Sequence, residues 1–386
     1  MFYQSKIIIL LGGLSWLAAS SAVGQPVNEL FKTIARTGPQ SSGSAEAQQA
    51  SDTLMTHGVE ILPELLAAMD TTNIVAANWY RTVYQTIVHR ELSKQKPQFP
   101  VTELRACAHN AQHQGRVRRL ALALLDEIDP AFRNELLRHM LDDVEFRHDA
   151  VKLVLDAGNE AQAANQPELA RQKYQQALRH ARKSDQVTRA VDLLRSMGED
   201  VRIIDQMGFV TRWYLLGPFD APNTSGFDTV YPPETETNID ATYDGQNGQT
   251  LHWKLTETPD RMGQLNLIQL IGATKEAVGY AYTELDSPID QTIQIRCGAD
   301  DNLSVWVNGE KTFARQQWLN GTRLDRFTAT ANLKKGRNQV LVKICQGPQH
   351  VNPSVPNNWS MQLRFCDKTG RGIRLTNLLP SLTKSD

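Results

Sequence analysis

The chain has 386 residues, with 41 Lys and Arg against 42 Asp and Glu, a formal net charge of −1 and 41% hydrophobic residues. That length allows two or three domains with ample material for buried cores, and a charge so near zero gives no electrostatic support to nucleic-acid or membrane-surface binding. Four cysteines over such a length make no disulfide framework.

Lys6 precedes an apolar run from Ile7 to Leu17, which ends in the small residues Ala18, Ala19, Ser20, Ser21, Ala22, Val23 and Gly24. This is the pattern of a secretory signal over residues 1–24 with a cut after Gly24, so a periplasmic or secreted protein is expected. The run is short for a membrane span, and no other stretch approaches about 20 apolar residues. No membrane span is therefore expected once the signal is removed. Residues 25–50 include Gly38-Pro-Gln-Ser-Ser-Gly-Ser44, the composition of a linker.

Residues 51–204 read as helical. Ile61, Leu62, Leu65, Leu66 and Met69 recur at helical spacing, with Pro63 and Asp70 suited to the two ends. A second amphipathic segment runs over 75–88, a third carries Leu120, Leu122, Leu124 and Leu125, and a fourth carries Leu136, Leu137, Met140 and Leu141. Arg118-Arg-Leu-Ala121 and Arg147-His-Asp-Ala150 open two similar helices. These resemble the second helices of HEAT-type repeats, in which an early Arg braces the preceding turn. Asn165, Ala170, Tyr174, Ala177 and Leu178 resemble the first helix of a tetratricopeptide (TPR) unit, and a second helix over 186–197 ends at Gly198. One such unit makes no groove, so it reads as a capping helical pair.

From residue 205 to 386 the texture becomes aromatic and β-branched, punctuated by Gly, Pro, Asn and Asp. Strands are expected over 213–219, 251–255, 265–271, 278–285 and 291–296. In Asp300-Asp-Asn-Leu-Ser-Val-Trp-Val-Asn-Gly309, Leu303, Val305 and Val307 alternate with Ser304 and Trp306, and Asn308-Gly309 is the dipeptide of a two-residue type I′ hairpin turn. The return strand is expected over 311–314. Gly336 and Asn338 mark another turn before a half-buried strand with Val340, Val342 and Ile344 on one face and Lys343 on the other. Eight or nine strands in this span fit one antiparallel sandwich of jelly-roll type. The fold class expected is thus multidomain α + β: a HEAT/TPR-like helical domain over 51–204, then a β-sandwich over 205–386.

Trp213-Tyr-Leu-Leu-Gly-Pro-Phe219, Gly226-Phe-Asp-Thr-Val-Tyr-Pro-Pro-Glu234, the Asp300 hairpin and Leu333-Lys-Lys-Gly-Arg-Asn together give the chain a resemblance. It is similar to exported bacterial proteins with HEAT-like repeats and a C-terminal galactose-binding-like jelly roll, a family of unassigned activity. The resemblance implies a sandwich that binds carbohydrate or packs on a partner.

The search for chemistry finds no zincin motif, P-loop, dinucleotide fingerprint, nucleophile elbow or Cys-x-x-Cys. His109 and His113, near Cys107, have the spacing of two ligands on one helical face, but no third ligand follows, and they read as polar helix surface. No metal, cofactor or catalytic residue is expected. The arginines Arg116, Arg118, Arg119, Arg133 and Arg138 read as a solvated helix face, with an anionic glycan as the alternative. Asp300 and Asp301 read as turn formers, because adjacent residues of an extended segment project apart; they also suit a structural calcium in a sandwich loop. Cys345 and Cys366 would be several pairs apart in a hairpin near residue 352, so buried free thiols are expected.

The ligand-binding residues expected are Trp318 and Trp359, in loops near Arg315, Arg323, Asp325 and Asn358. Aromatic faces stack on sugar rings while carboxylate, amide and guanidinium groups bind hydroxyls. The function expected is a non-enzymatic exported binding or scaffold protein, with helical repeats for a protein partner and the sandwich for carbohydrate. The alternatives are a lyase-like polysaccharide-degrading enzyme and a purely structural envelope component.

Overall fold

The computed structural model describes residues 26–318, 321–352, 354 and 357–382; the expected signal segment lies outside them. The chain divides into two compact units, Met1–Arg133 and Asn134–Asp386.

The first unit contains α1 (Val27–Ala35), α2 (Ser44–Leu54), α3 (Leu62–Met69), α4 (Ile74–Leu92), α5 (Val101–His109) and α6 (Gly115–Ile128). Within the expected linker, α1 and the start of α2 are therefore helical. Leu30 and Ile34, one turn apart on α1, are buried, and burying each such side chain contributes about 1.5–3 kcal/mol. Asn73 ties this segment down: its Oδ1 accepts from the N–H of Ala76 to cap α4, and its Nδ2 donates to the carbonyl of Thr37 at 2.7 Å. Gly38 to Gly43 is a turn in which Gln40, Ser41 and Gly43 take positive φ, which explains a composition that resembles a linker. Arg118 is buried and its Nε donates to the carbonyl of Ala108, at the end of α5, at 3.0 Å. This is the bracing role its position suggested.

α7 (Ala131–Leu137) crosses the division and stops before Met140 and Leu141. The second unit continues with α8 (Arg147–Ala163), α9 (Pro167–His180), α10 (Ser184–Ser196) and α11 (Ile203–Met207). Arg147 repeats the brace, with Nε to the carbonyl of Leu141 at 3.2 Å and Nη2 to that of Asp142 at 2.9 Å. Gly198 takes φ +87° two residues beyond α10, the left-handed conformation that ends a helix.

The β elements are β1 (Arg212–Asp220), β2 (Thr242–Asp244), β3 (Thr250–His252), β4 (Lys254–Glu257), β5 (Leu265–Asn266), β6 (Ala277–Ser287), β7 (Gln291–Ala299), β8 (Leu303–Val307), β9 (Glu310–Arg315), β10 (Phe327–Leu333), β11 (Gly336–Gln346), β12 (Ser360–Cys366) and β13 (Thr376–Asn377). Two short helices interrupt them, α12 (Pro232–Thr235) and α13 (Leu267–Leu270). One sheet runs β4-β1-β6-β11-β8-β9 with β13 on β6, the other β10-β7-β12-β5, and β2 pairs with β3. All pairings are antiparallel. The expected strand over 265–271 is cut short because the Asn266 side chain accepts from the N–H of Gln269 and starts α13.

Trp213, Ile295, Val305, Val340, Val342, Ile344, Trp359 and Phe365 belong to the core between the two sheets. The other face of the larger sheet is also buried: Phe219, Tyr280, Tyr282, Trp306, Leu341 and Cys345 lie under Tyr231, Leu251 and Trp253. β11 is therefore covered on both faces rather than half-buried, and Lys343 is only 1% exposed. Its ammonium is satisfied by the carboxylate of Glu234 at 2.8 Å and the carbonyls of Thr229 at 2.6 Å and Phe227 at 3.3 Å.

The expected boundary at 204/205 falls inside the second unit. Phe209, Met262 and Leu324 pack against the apolar cluster of α8 to α11, and Arg364 of β12 donates from Nη1 to the carbonyl of Met207 at 3.0 Å. Cys345 and Cys366 sit in different sheets, not in one hairpin, and all four cysteines are free and buried. Among the described residues no helix is long and apolar enough to cross a membrane.

Candidate functional site

β7 enters the sandwich edge at Ala299 and β8 leaves at Leu303, so Asp300, Asp301 and Asn302 form the connection. In an ordinary turn such residues face water. Here they are 4%, 1% and 0% exposed. Two segments close over them, at Gln317 and at Cys345–Gly347. The N–H of Gly347 donates to Asp301 Oδ2 at 2.8 Å, the N–H of Gln317 donates to Asn302 Oδ1 at 2.6 Å, and Gln317 Nε2 reaches the carbonyls of Ala299 and Asp301 at 3.3 Å. The carbonyl of Asn302 accepts from the N–H of Cys345 at 3.0 Å.

Burial and the neighbouring Asp301 push the Asp300 carboxyl up to about 6, against the pull of the Gly321 N–H, Lys275 and Arg326. Burial also lowers Lys275, whose ammonium faces both carboxylates. The Gln346 amide, turned so that its oxygen meets Lys275 Nζ at 3.3 Å and its nitrogen the carbonyl of Asn358 at 3.0 Å, links this cation to the 357–358 loop. Among the described residues Asn302 Nδ2 is buried without a hydrogen-bond partner. An unmatched buried donor costs about 1–3 kcal/mol, and such atoms are rare enough to need a reason.

Trp318 covers the cluster. It is half-buried, and a Cβ placed on Gly347 would lie 3.0 Å from both the Trp318 ring and Asp301 Oδ2. A side chain there would be in tight contact with both ring and carboxylate. The result is an aromatic edge beside two carboxylates, an ammonium and an unmatched amide donor.

No family model and no curated protein matches the chain. Solved structures do. An anti-sigma factor domain-containing protein from Clostridium clariflavum matches at 13% identity and a TM-score of 0.25, over 45% of this chain and 49% of that one. A PA14 sugar-binding domain from an RTX adhesin matches at 13% identity and a TM-score of 0.22, over 44% of this chain and 96% of that one. A GH31 alpha-xylosidase from Xanthomonas citri matches at 10% identity and a TM-score of 0.21, over 41% and 16%. The chain spans less than half the length of the first solved structures it matches, 43% and 49%. Likeness at this level assigns neither ligand nor activity.

The expected site residues separate. Trp318 and Asn358 border the Asp300 cluster. Arg315 is exposed at the end of β9, opposite Leu303. Arg323 is exposed, and its carbonyl presses on Gly298 of β7. Asp325 is a structural ion-pair partner: its Oδ1 accepts from Arg364 Nε at 2.7 Å, and its Oδ2 from Arg364 Nη2 at 2.5 Å and Arg296 Nη1 at 3.3 Å. Trp359 is 1% exposed in the inter-sheet core, with Nε1 donating to the carbonyl of Ile344 at 3.3 Å, so it cannot stack on a ligand. The buried carboxylates that sequence reasoning set aside as turn formers are the centre of the cluster. Their burial comes from loops 15 to 46 residues away in sequence, a distance that turn chemistry does not encode.

The histidine pair also dissolves. α5 ends at His109, whose ring meets Phe132 at 5.4 Å, while His113 lies beyond the helix and pairs with Asp70 at 2.9 Å. Among the described residues no group of three or more His, Cys, Asp or Glu is placed to hold a metal ion.

Proposed function

We propose that the protein is an exported, non-enzymatic binding protein whose β-sandwich holds a polyhydroxylated ligand, a carbohydrate, against the half-buried Trp318, whose ring moves aside to open the closed cluster of Asp300, Asp301 and Asn302 beneath it. One observation carries this reading: two carboxylates almost removed from solvent stand beside a half-buried tryptophan and an amide donor that has no partner among the described residues. Sugar hydroxyls donate to carboxylates and accept from amide N–H groups, and the apolar face of a pyranose packs on indole. In this reading the helical segments, HEAT/TPR-like in their paired order, serve protein contacts, and the protein works in the periplasm or outside the cell.

The test uses the full chain without residues 1–24 on an array of neutral and acidic oligosaccharides, followed by calorimetry on the best binder. Trp318→Ala and Asp300→Ala should each weaken that binder by about tenfold or more, ~1.4 kcal/mol. Absence of any bound glycan across the array overturns the carbohydrate assignment. Release of shortened products from a uronate polymer overturns the non-enzymatic part and favours the lyase alternative.

A further inference from the structure

A second place in the molecule carries chemistry that the sandwich does not use. Ala77, Asn78 and Arg81 of α4, Arg116, Val117, Arg119, Leu120 and Ala123 of α6, and Met69 at the end of α3 line a cleft of about 370 Å³ within the first unit. On α6 the lining positions 116, 120 and 123 follow the i, i+4, i+7 stripe of one helix face. The floor is apolar: Met69, Ala77 and Val117 are buried, and Leu120 is half-buried beside them. The rim is cationic, and among the described residues no carboxylate lines the cleft.

Among the described residues neither Arg116 nor Arg81 meets a carboxylate. Arg116 donates from Nη2 to the carbonyls of Met69 at 3.2 Å and Thr71 at 2.5 Å, which fixes its position while leaving its charge. Arg81 is exposed and has no hydrogen bond or ion pair among the described residues. Asp70, the nearest carboxylate in sequence to the floor, is taken by His113 at 2.9 Å and the N–H of Gln114 at 3.0 Å.

We propose that this cleft binds an acidic peptide segment of a partner protein, one apolar side chain entering the floor between Met69, Ala77, Val117 and Leu120 while flanking carboxylates meet Arg81 and Arg116. Charge complementarity selects an anion, and Arg grips carboxylates through a planar fork of donors. The apolar floor selects a peptide over a polyanionic sugar chain, which has no aliphatic side chain to bury there. This inference adds the partner's chemistry to the protein-contact half of the reading above. It rests on residues remote in sequence from the sugar site.

The probe is a fluorescein-labelled helical peptide of Glu and Leu at i, i+3 and i+4 spacing, with a Gln-for-Glu control, titrated by anisotropy against the full chain without residues 1–24. Binding of the acidic peptide alone, weakened about tenfold by either Arg81→Glu or Leu120→Glu and by raised salt, supports the proposal. In the same charge-reversed Arg81→Glu protein a Lys-Leu peptide should gain affinity. Trp318→Ala should leave peptide binding unchanged, so failure of the sugar site and failure of this cleft are read separately. Equal binding of the Gln control, indifference to Arg81→Glu, or displacement of no peptide but capture of heparin or phosphatidylglycerol vesicles through Arg81 each overturns it. Both variants alter surface or half-buried positions, and circular dichroism that matches the parent chain confirms that the fold is kept.

Discussion

Asp301 Oδ2 accepts the backbone N–H of Gly347 at 2.8 Å, and the Trp318 ring closes on the other side of that glycine. The bond draws the end of β11 onto the β7–β8 connection and leaves little room for a Cβ. Gly347→Ala must push either the ring or the carboxylate aside, and overpacking of this kind costs about 1–3 kcal/mol. Thermal unfolding of the variant should show that loss, with the Trp318 environment changed in near-UV circular dichroism. An unaltered melting temperature and spectrum would mean that the contact is looser than described.

Asp300 gives the molecule a pH dependence of definite sign. Its carboxyl is raised from an ordinary value of 3.8 to about 6 in the folded chain, so the native state holds a proton that the unfolded chain releases. The stabilisation is fully present below about 3.8 and is lost as pH rises through about 6. Asp300→Asn should remove that slope between those values in unfolding curves compared with the parent chain. A ligand hydroxyl that donates to the ionised carboxylate should bind more tightly above pH ~6 than below it. Identical slopes in parent and variant would count against the burial of this group.

The two loop tryptophans of the sequence reading should behave in opposite ways. Trp359→Ala empties part of the inter-sheet core and should cost about 3–5 kcal/mol, with little left to measure in binding. Trp318→Ala should cost about 1 kcal/mol, an ordinary value for a substitution, and act on glycan affinity instead. Chemical denaturation of both variants decides between these roles. A stability loss larger for Trp318 than for Trp359 would reverse the assignment.

Lys343 and Glu234 form an ion pair at 2.8 Å in which the Lys side chain is 1% exposed and the Glu side chain 6%. Lys343→Met alone leaves the carboxylate with the Tyr280 hydroxyl at 2.6 Å and the N–H of Tyr231 at 3.4 Å but no cation, and should cost about 3–5 kcal/mol. Combining it with Glu234→Leu should recover much of that loss, since apolar replacement of a whole buried pair is often close to neutral. A double-mutant cycle that adds without coupling would show the two groups to be independent.

Local signals carried far along this sequence, and long-range ones did not. The period-two run Leu303 to Val307 and the Asn308-Gly309 turn, with φ of +53° and +81°, were readable because a hairpin is written in adjacent residues. Arg118 and Arg147 were readable as braces because each reaches a carbonyl only 10 or 6 residues back. Lys343 looked like a solvent-facing residue because the alternation is correct while the cover over that face comes from Tyr231, Leu251 and Trp253, far upstream. The burial of Asp300 and Asp301 was not readable for the same reason, nor was the helical core that α11 and Phe209 share with the following strands.

The buried ammonium of β11 has a further consequence for how the chain finds its fold. β11 pairs along its length with β6 and over five residues with β8, and its alternate side chains serve two different apolar interiors. A slip of one residue would turn Lys343 away from Glu234 and toward the apolar cluster between the sheets, and would exchange its neighbours at the same time. A single lysine thus acts as a register mark, making every misaligned pairing of the central strand far more costly than a slip in an all-apolar strand would be.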